Sequence, residues 1–299
     1  MTDNTNIKNS FRTTQKIDKL EMELVWTKEI TDSNFVHYHY NCKPFVYDNK
    51  LFYAFSSIDR ENISTKGIYG EKITVIEINL NDTTTSIKCL SFKDKEPKNK
   101  KILLSNSWHF IRTGDKVYLY VGFLLDISQP IISISGKDYI HCEFKVRTEY
   151  DFGNKYIKYN QRSTIECFDK TLDNKIWQKT FKGFIYTEIE LKNKCILFGT
   201  AGKGGAFYCI NLDTGQTLTE HINSDSSNYE WQNNSVILKD KKGNIQQINP
   251  FTGEILQSLI LKDKLFYAPI LAYKQYIFTT VYNKKSNSGR LICVRNNEN

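Results

Sequence analysis

The stretch FGTAGKGGAFYCINLDTG, Phe198 to Gly215, decides how the chain is read. Gly199, Gly202, Lys203, Gly204 and Gly205 follow directly on the apolar run Cys195-Ile196-Leu197-Phe198, which at first suggests a phosphate cradle. A P-loop needs GxxxxGK, then Ser or Thr, then a helix whose N-terminus faces the phosphate. Here Gly199 stands only three residues before Gly202-Lys203, and the next segment, Ala206–Asn211, has the aromatic and β-branched character of a strand. A dinucleotide fingerprint also requires a helix next. The glycines are therefore expected to turn the chain between two strands.

The same pattern recurs along the chain. GGAFYCINLDTGQTL from Gly204, KGNIQQINPFTGEIL from Lys242 and SGRLICVRNNEN from Ser288 each contain a glycine turn, a short strand and a polar turn. Looser copies begin at Glu71 (EKITVIEINLNDTTTSIKCL) and Arg162 (RSTIECFDKTLDNKIWQKTF). The apolar residue before the polar turn is Ile78, Phe168, Ile210, Ile248 and Val294; three positions earlier stand Val75, Ile165, Phe207, Ile245 and Leu291. One position before the mark, Cys167, Cys209 and Cys293 share a site with Glu77 and Gln247, which argues for packing in equivalent strands rather than for a metal cluster. A second unit, a polar turn entering an apolar strand, lies upstream: DNKLFYAF at Asp48, GDKVYLYVG at Gly114, KNKCILFGT at Lys192, QNNSVILKD at Gln232 and YKQYIFTTV at Tyr273.

Together the units give four strands per repeat, the organisation of a β-propeller blade. The register marks lie 90, 42, 38 and 46 residues apart. Only one recurring turn unit is evident in the long gap, so the count is five blades with a long insertion at about 125–162. A sixth blade around DYIHCEFKV, Asp138 to Val146, is the alternative. The reading is thus all-β: a single five-bladed propeller of four-stranded antiparallel blades over 21–299, after a flexible polar tail at 1–20. The orphan strand Glu21–Ile30 aligns with Asn174–Phe181, Trp26 matching Trp177, and is expected to complete the last blade and hide its edge. Both tryptophans are read as structural.

The two central copies resemble the repeat of the pyrroloquinoline-quinone-like propellers, whose blades read roughly G-x-L-Y-A-L-D-x-x-T-G-x-x-L-W. Some members of that superfamily are quinone-dependent dehydrogenases with bound calcium, and others are scaffolds without a cofactor. The enzymes have more blades, an export signal and a dedicated acidic set; this chain shows five repeats, no vicinal cysteine pair and a polar first sixteen residues. The resemblance implies the fold, and a non-enzymatic member with no cofactor is expected.

Composition narrows the partners. A net charge of +8 on 299 residues is spread through turns with no basic stripe, which argues against nucleic acid. No apolar run approaches the length of a membrane span, so a cytoplasmic chain with no membrane association is expected. His37 and His39 flank Tyr38 and would face one side of a strand, a weak metal candidate with no supporting ligand at a suitable spacing. His109, His141 and His221 are isolated, so no catalytic residue is assigned.

Loop length points to the functional face. The link between second and third strands is short at Thr200–Gly205 and Lys239–Gly243, but long at about Ser56–Glu71 and Leu125–Arg162. Those insertions carry Arg60, Tyr69, Tyr139, His141, Arg147, Tyr150 and Tyr156, residue types enriched at protein hot spots. Tyr40, Trp108, Tyr186, Tyr229 and Tyr267 fall near the starts of the innermost strands, at the channel mouth. The expected function is a non-enzymatic protein-binding scaffold, an inhibitor or immunity-type protein being one such role. The alternative is a small-ligand-binding or enzymatic propeller using the channel mouth. An acidic cluster converging near the channel would favour the alternative, and an aromatic plug would favour the scaffold.

Overall fold

The computed structural model describes residues 20–29, 35–36, 43–59, 72–91, 109–120, 124–127, 148–160, 163–185, 187–222, 224–240, 244–261, 270–283 and 288–297. They form strands only, arranged in six sheets. Two N-terminal strands, β1 (Leu20–Glu21) and β2 (Glu23–Glu29), join sheets built from the far end of the chain. Sheet 1 holds β3 (Phe35–Val36), β4 (Phe45–Tyr47), β5 (Lys50–Asp59), β6 (Lys72–Asn79) and β7 (Thr85–Ser91). Sheet 2 holds β8 (His109–Thr113), β9 (Lys116–Tyr120) and β10 (Leu124–Asp126). Sheet 3 is β11 (Glu149–Asp151), β12 (Lys155–Asn160), β13 (Thr164–Asp169) and β14 (Lys175–Thr180). Sheet 4 contains β15 (Phe184–Ile185), β16 (Glu190–Lys192), β17 (Cys195–Ala201), β18 (Ala206–Asn211) and β19 (Thr217–Ile222). In sheet 5, β20 (Ser224–Gln232), β21 (Ser235–Asp240), β22 (Asn244–Ile248) and β23 (Ile255–Ile260) are joined at the outer edge by β1, in parallel. Sheet 6 is β24 (Leu271–Tyr273), β25 (Tyr276–Asn283) and β26 (Ser288–Arg295), with β2 antiparallel to β26.

Six sheets replace the five blades counted from the repeats. The 90-residue gap holds two of them, because β11 and β12, within the stretch assigned to an insertion, are the first two strands of sheet 3. Their connection, Phe152-Gly153-Asn154, is a polar turn entering an apolar strand like the others. Gly153 adopts φ +86, and its N–H donates to Asp151 Oδ1 at 2.8 Å. The alternative sixth-blade segment, 138–146, lies outside the described residues, as does the tail before Leu20.

Local chemistry explains why the strands form where they do. The turns Asp48-Asn49, Asn193-Lys194 and Asn233-Asn234 each place two successive residues at positive φ, the twist that two-residue hairpins need. After the third strand, Asn79, Asn211 and Asn249 accept a hydrogen bond from the backbone N–H two residues on, each at 2.9 Å. That Asx turn directs the chain into the outer strand. At the same point in four sheets an extra aliphatic residue bulges from the outer strand: Val25, Ile176, Leu218 and Leu256. A bulge recurring in one register is the sequence repeat expressed in three dimensions.

Strands buried on both faces join the sheets into a series. In sheet 4, Ile196, Phe198, Tyr208 and Ile210 pack toward sheet 3, while Leu197, Phe207 and Cys209 pack toward sheet 5. Ile237 and Ile245 of sheet 5 meet Ile277, Ile292 and Val294 of sheet 6. Sheet 6 in turn packs on sheet 1, Phe278 and Leu291 against Leu51, Tyr53 and Ile76, with Trp26 alongside. Phe45 and Phe52 of sheet 1 lie 6.1 and 5.9 Å from Phe110 of sheet 2. Each fully buried side chain of this kind contributes about 1.5–3 kcal/mol. The chain joining sheets 2 and 3, residues 128–147, lies outside the described residues.

Candidate functional site

Phe198–Gly215 is a hairpin, as its strand-like sequel predicts. β17 turns at Gly202 and Gly204, both at positive φ, and β18 returns with Phe207 opposite Gly199. Thr200 Oγ1 accepts the N–H of Ala206 at 3.1 Å and the Gly202 carbonyl that of Gly205 at 3.1 Å, which closes the turn between the two strands. The shared cysteine position is a packing position: Cys167, Cys209 and Cys293 are buried free thiols. Burial pushes them up to about 11, 12 and 12 respectively, away from thiolate chemistry.

Trp177 stands opposite Cys167, and Trp26 opposite Cys293. Trp177 Nε1 donates to the Leu212 carbonyl at 2.8 Å, docking the outer strand of sheet 3 on the turn of sheet 4. Both tryptophans therefore serve packing, Trp26 by its place between sheets 6 and 1.

Three of the residues proposed from sequence for binding are described. Tyr150 is 3% exposed, packed with Tyr159 and Phe152, and its hydroxyl donates to Glu188 Oε2 at 2.6 Å. Burial and the Glu188 carboxylate raise its pKa. It is a core residue between sheets 3 and 4, which corrects its assignment to an exposed face. Tyr156 is half-buried on β12, its hydroxyl donating to Glu149 Oε2 at 2.6 Å. Tyr229 packs edge-on against Phe207, centroids 5.2 Å apart, with its hydroxyl toward Glu190 Oε1 at 3.3 Å and the Leu197 carbonyl at 3.4 Å. Arg60, Tyr69, Tyr139, His141, Arg147, His37, His39, Tyr40, Trp108, Tyr186 and Tyr267 lie outside the described residues.

Around Tyr229 the structure assembles a cluster that the repeat analysis passed over. Glu230 of β20 pairs with Lys43, which stands just before β4, and Glu190 of β16 lies close enough to act on Glu230 electrostatically. These groups come from the edges of sheets 1, 4 and 5 at which β4, β16 and β20 stand. Burial raises the Glu230 pKa; Lys43 and the Ala272 N–H of β24 oppose the rise, and Glu190 adds to it. Burial beside Glu190 likewise raises Tyr229 well above the usual phenol value. Glu230, a charge set between the two aromatic residues Tyr229 and Trp231, was the sequence signal for the cluster.

The cluster brings two carboxylates and one ammonium group together. Each carboxylate already has an internal partner, Lys43 for Glu230 and the Tyr229 hydroxyl for Glu190. Among the described residues no group of three His, Cys, Asp or Glu is placed to hold a metal ion. Among them, too, no helix is long and apolar enough to cross a membrane.

No protein-family model matches the sequence, and no curated protein matches it. Among solved structures the chain is similar to BamB from Moraxella catarrhalis, at 9% identity and TM-score 0.46, over 94% of this chain and 99% of that one. It is similar to the WD40 β-propeller domain of Doa1 at 10% identity and TM-score 0.47, covering 91% and 96%. It is also similar to the computationally designed protein Ika8 at 10% identity and TM-score 0.41, covering 86% and 97%.

Proposed function

We propose that the chain is a non-enzymatic protein-binding scaffold, a closed ring of six blades that presents long links at one end to a protein partner. The observation that supports the reading is the packing of sheet 6, completed by β2, on sheet 1, which sets the last sheet in chain order against the first. Such a frame holds its links at fixed positions, and binding residues concentrate on links of this kind. Sheet 1 joins its second and third strands through residues 60–71; sheets 4, 5 and 6 use only 202–205, 241–243 and 284–287. Arg60 and Tyr69 stand in the longer link.

The rival reading, a ligand site at the edges where β16 and β20 stand, draws on the convergence of Glu190 and Glu230. The internal pairing of both carboxylates favours a structural role for them. The test is affinity capture from the native cell with the immobilised full chain, beside the variant Arg60→Ala/Tyr69→Ala/Tyr139→Ala/Arg147→Ala. Loss of one specific captured protein, with the melting temperature unchanged, is the expected result. The same capture profile from both chains would remove the scaffold reading's chosen face.

A further inference from the structure

We propose that the Lys43–Glu230 ion pair is an acid-released latch tying the segment that leads into sheet 1 to the β20 edge of sheet 5. The inference stands on the packing of the sheets and does not depend on the partner-binding reading. Sheets 1 and 5 are not face-to-face neighbours, because sheet 6 packs between them through separate clusters on its two sides. The pair therefore joins two sheets that pack on opposite sides of sheet 6, at the edges where β4 and β20 stand.

The two partners are unequal. The Glu230 side chain is 16% exposed and the Lys43 side chain 50%, so the carboxylate is the fixed half and the lysine the releasable one. Glu230 faces Lys43, the Glu190 carboxylate of β16 and the Ala272 N–H of β24. Its neighbours Tyr229 and Trp231 belong instead to the layer shared with sheet 4, which holds Cys195 and Cys209, with Lys192 Nζ 5.6 Å from the Trp231 ring. Ile237, opposite Glu230 on β21, belongs to the apolar layer shared with sheet 6.

With Glu230 ionised, Lys43 has a charged partner in a partly desolvated site. As pH falls, a proton from solvent neutralises the carboxylate, earlier than it would an exposed glutamate, because burial and Glu190 favour the neutral acid. The ammonium then loses its counter-charge and returns to water, to which half of the lysine side chain is already exposed. Protonation also favours the folded chain over the unfolded one, since the folded pKa is the higher of the two. The latch thus opens without unfolding the sheets.

Hydrogen–deuterium exchange of the full chain tests this, with rates corrected for intrinsic pH dependence and read on peptides covering 43–47. The wild type should lose protection several-fold between pH 7.5 and 4.5. Glu230→Gln should show the low value at both pH values, and so should Lys43→Gln. If Glu230→Gln does not fold, Lys43→Gln, altered at a half-exposed side chain, carries the comparison. Equal wild-type protection at both pH values, or wild-type protection in Lys43→Gln at pH 7.5, overturns the proposal.

Discussion

At the scale of single residues, the largest consequence of enclosing Glu230 is a pH-dependent stability. Its folded pKa is raised, so the stability it contributes is fully present below the unfolded glutamate value and is lost as pH rises through the folded one. Glu230→Gln removes this dependence. Urea denaturation from pH 4 to pH 8 should show the variant gaining on the wild type as pH rises, by about 1.4 kcal/mol for each unit by which the folded pKa is raised. A constant difference across the range would show that Glu230 is not perturbed. Single residues were also where the sequence was least legible. Tyr150 and Tyr229 are the same residue type as a binding hot spot, yet both rings fill layers between sheets. Composition cannot separate those roles, because an aromatic ring is favoured equally by an interface and by a core. Lys43, Glu190 and Glu230 were missed because their meeting depends on three sheets far apart in the chain.

At the scale of the strand and its turn, Gly215 and Gly253 occupy equivalent positions at φ +69 and +74 but have different surroundings. A Cβ on Gly215 would lie 2.8 Å from the Trp177 indole, whereas one on Gly253 would meet only the Thr219 side chain, at 3.5 Å. Gly253→Ala should cost about 1–2 kcal/mol from left-handed backbone strain alone. Gly215→Ala should cost about 1–3 kcal/mol more through the clash. Parallel urea melts decide it, and equal losses would mean that Trp177 is not held against the turn. The elements were the most legible level, since Asn followed by Thr-Gly marks the same Asx turn and bulge in sheets 4 and 5. What escaped was β11–β12, whose turn Phe152-Gly153-Asn154 has positive φ only at Gly153, where the turns before β5, β17 and β21 have two successive residues at positive φ. The last copy has Arg295 where the others have Asn or Asp, and no turn is needed there: its outer strand is β2, and Arg295 Nη1 bonds Glu23 Oε2 at 3.0 Å.

At the scale of the whole molecule, the N-terminal segment fastens two neighbouring sheets. β1 lies along β23 of sheet 5, β2 along β26 of sheet 6, and between them Met22, 3% exposed, fills the layer that the two sheets share. Asn297 adds a second tie, donating from Nδ2 to the Glu21 carbonyl at 2.8 Å. Met22→Ala should lower stability by about 2–5 kcal/mol, as for other buried large-to-small changes. Removing 20–29 should abolish cooperative thermal unfolding followed by circular dichroism; an unchanged melting curve would refute the fastening role. The sequence showed β2 to be an orphan outer strand, but not that β1 reaches the neighbouring sheet, because two residues carry no periodicity.

This fastening also governs the order in which the molecule can assemble. Glu23 and Arg295 are 272 positions apart, so β2 emerges from the ribosome long before its partner strand. Contacts of such long sequence separation slow folding, since the closure entropy must be lost before the contact forms. The middle sheets, made from local hairpins, can form during synthesis. The two-sheet clasp at Met22 must await the synthesis of β23 and β26, and until then β1 and β2 wait without their partner strands.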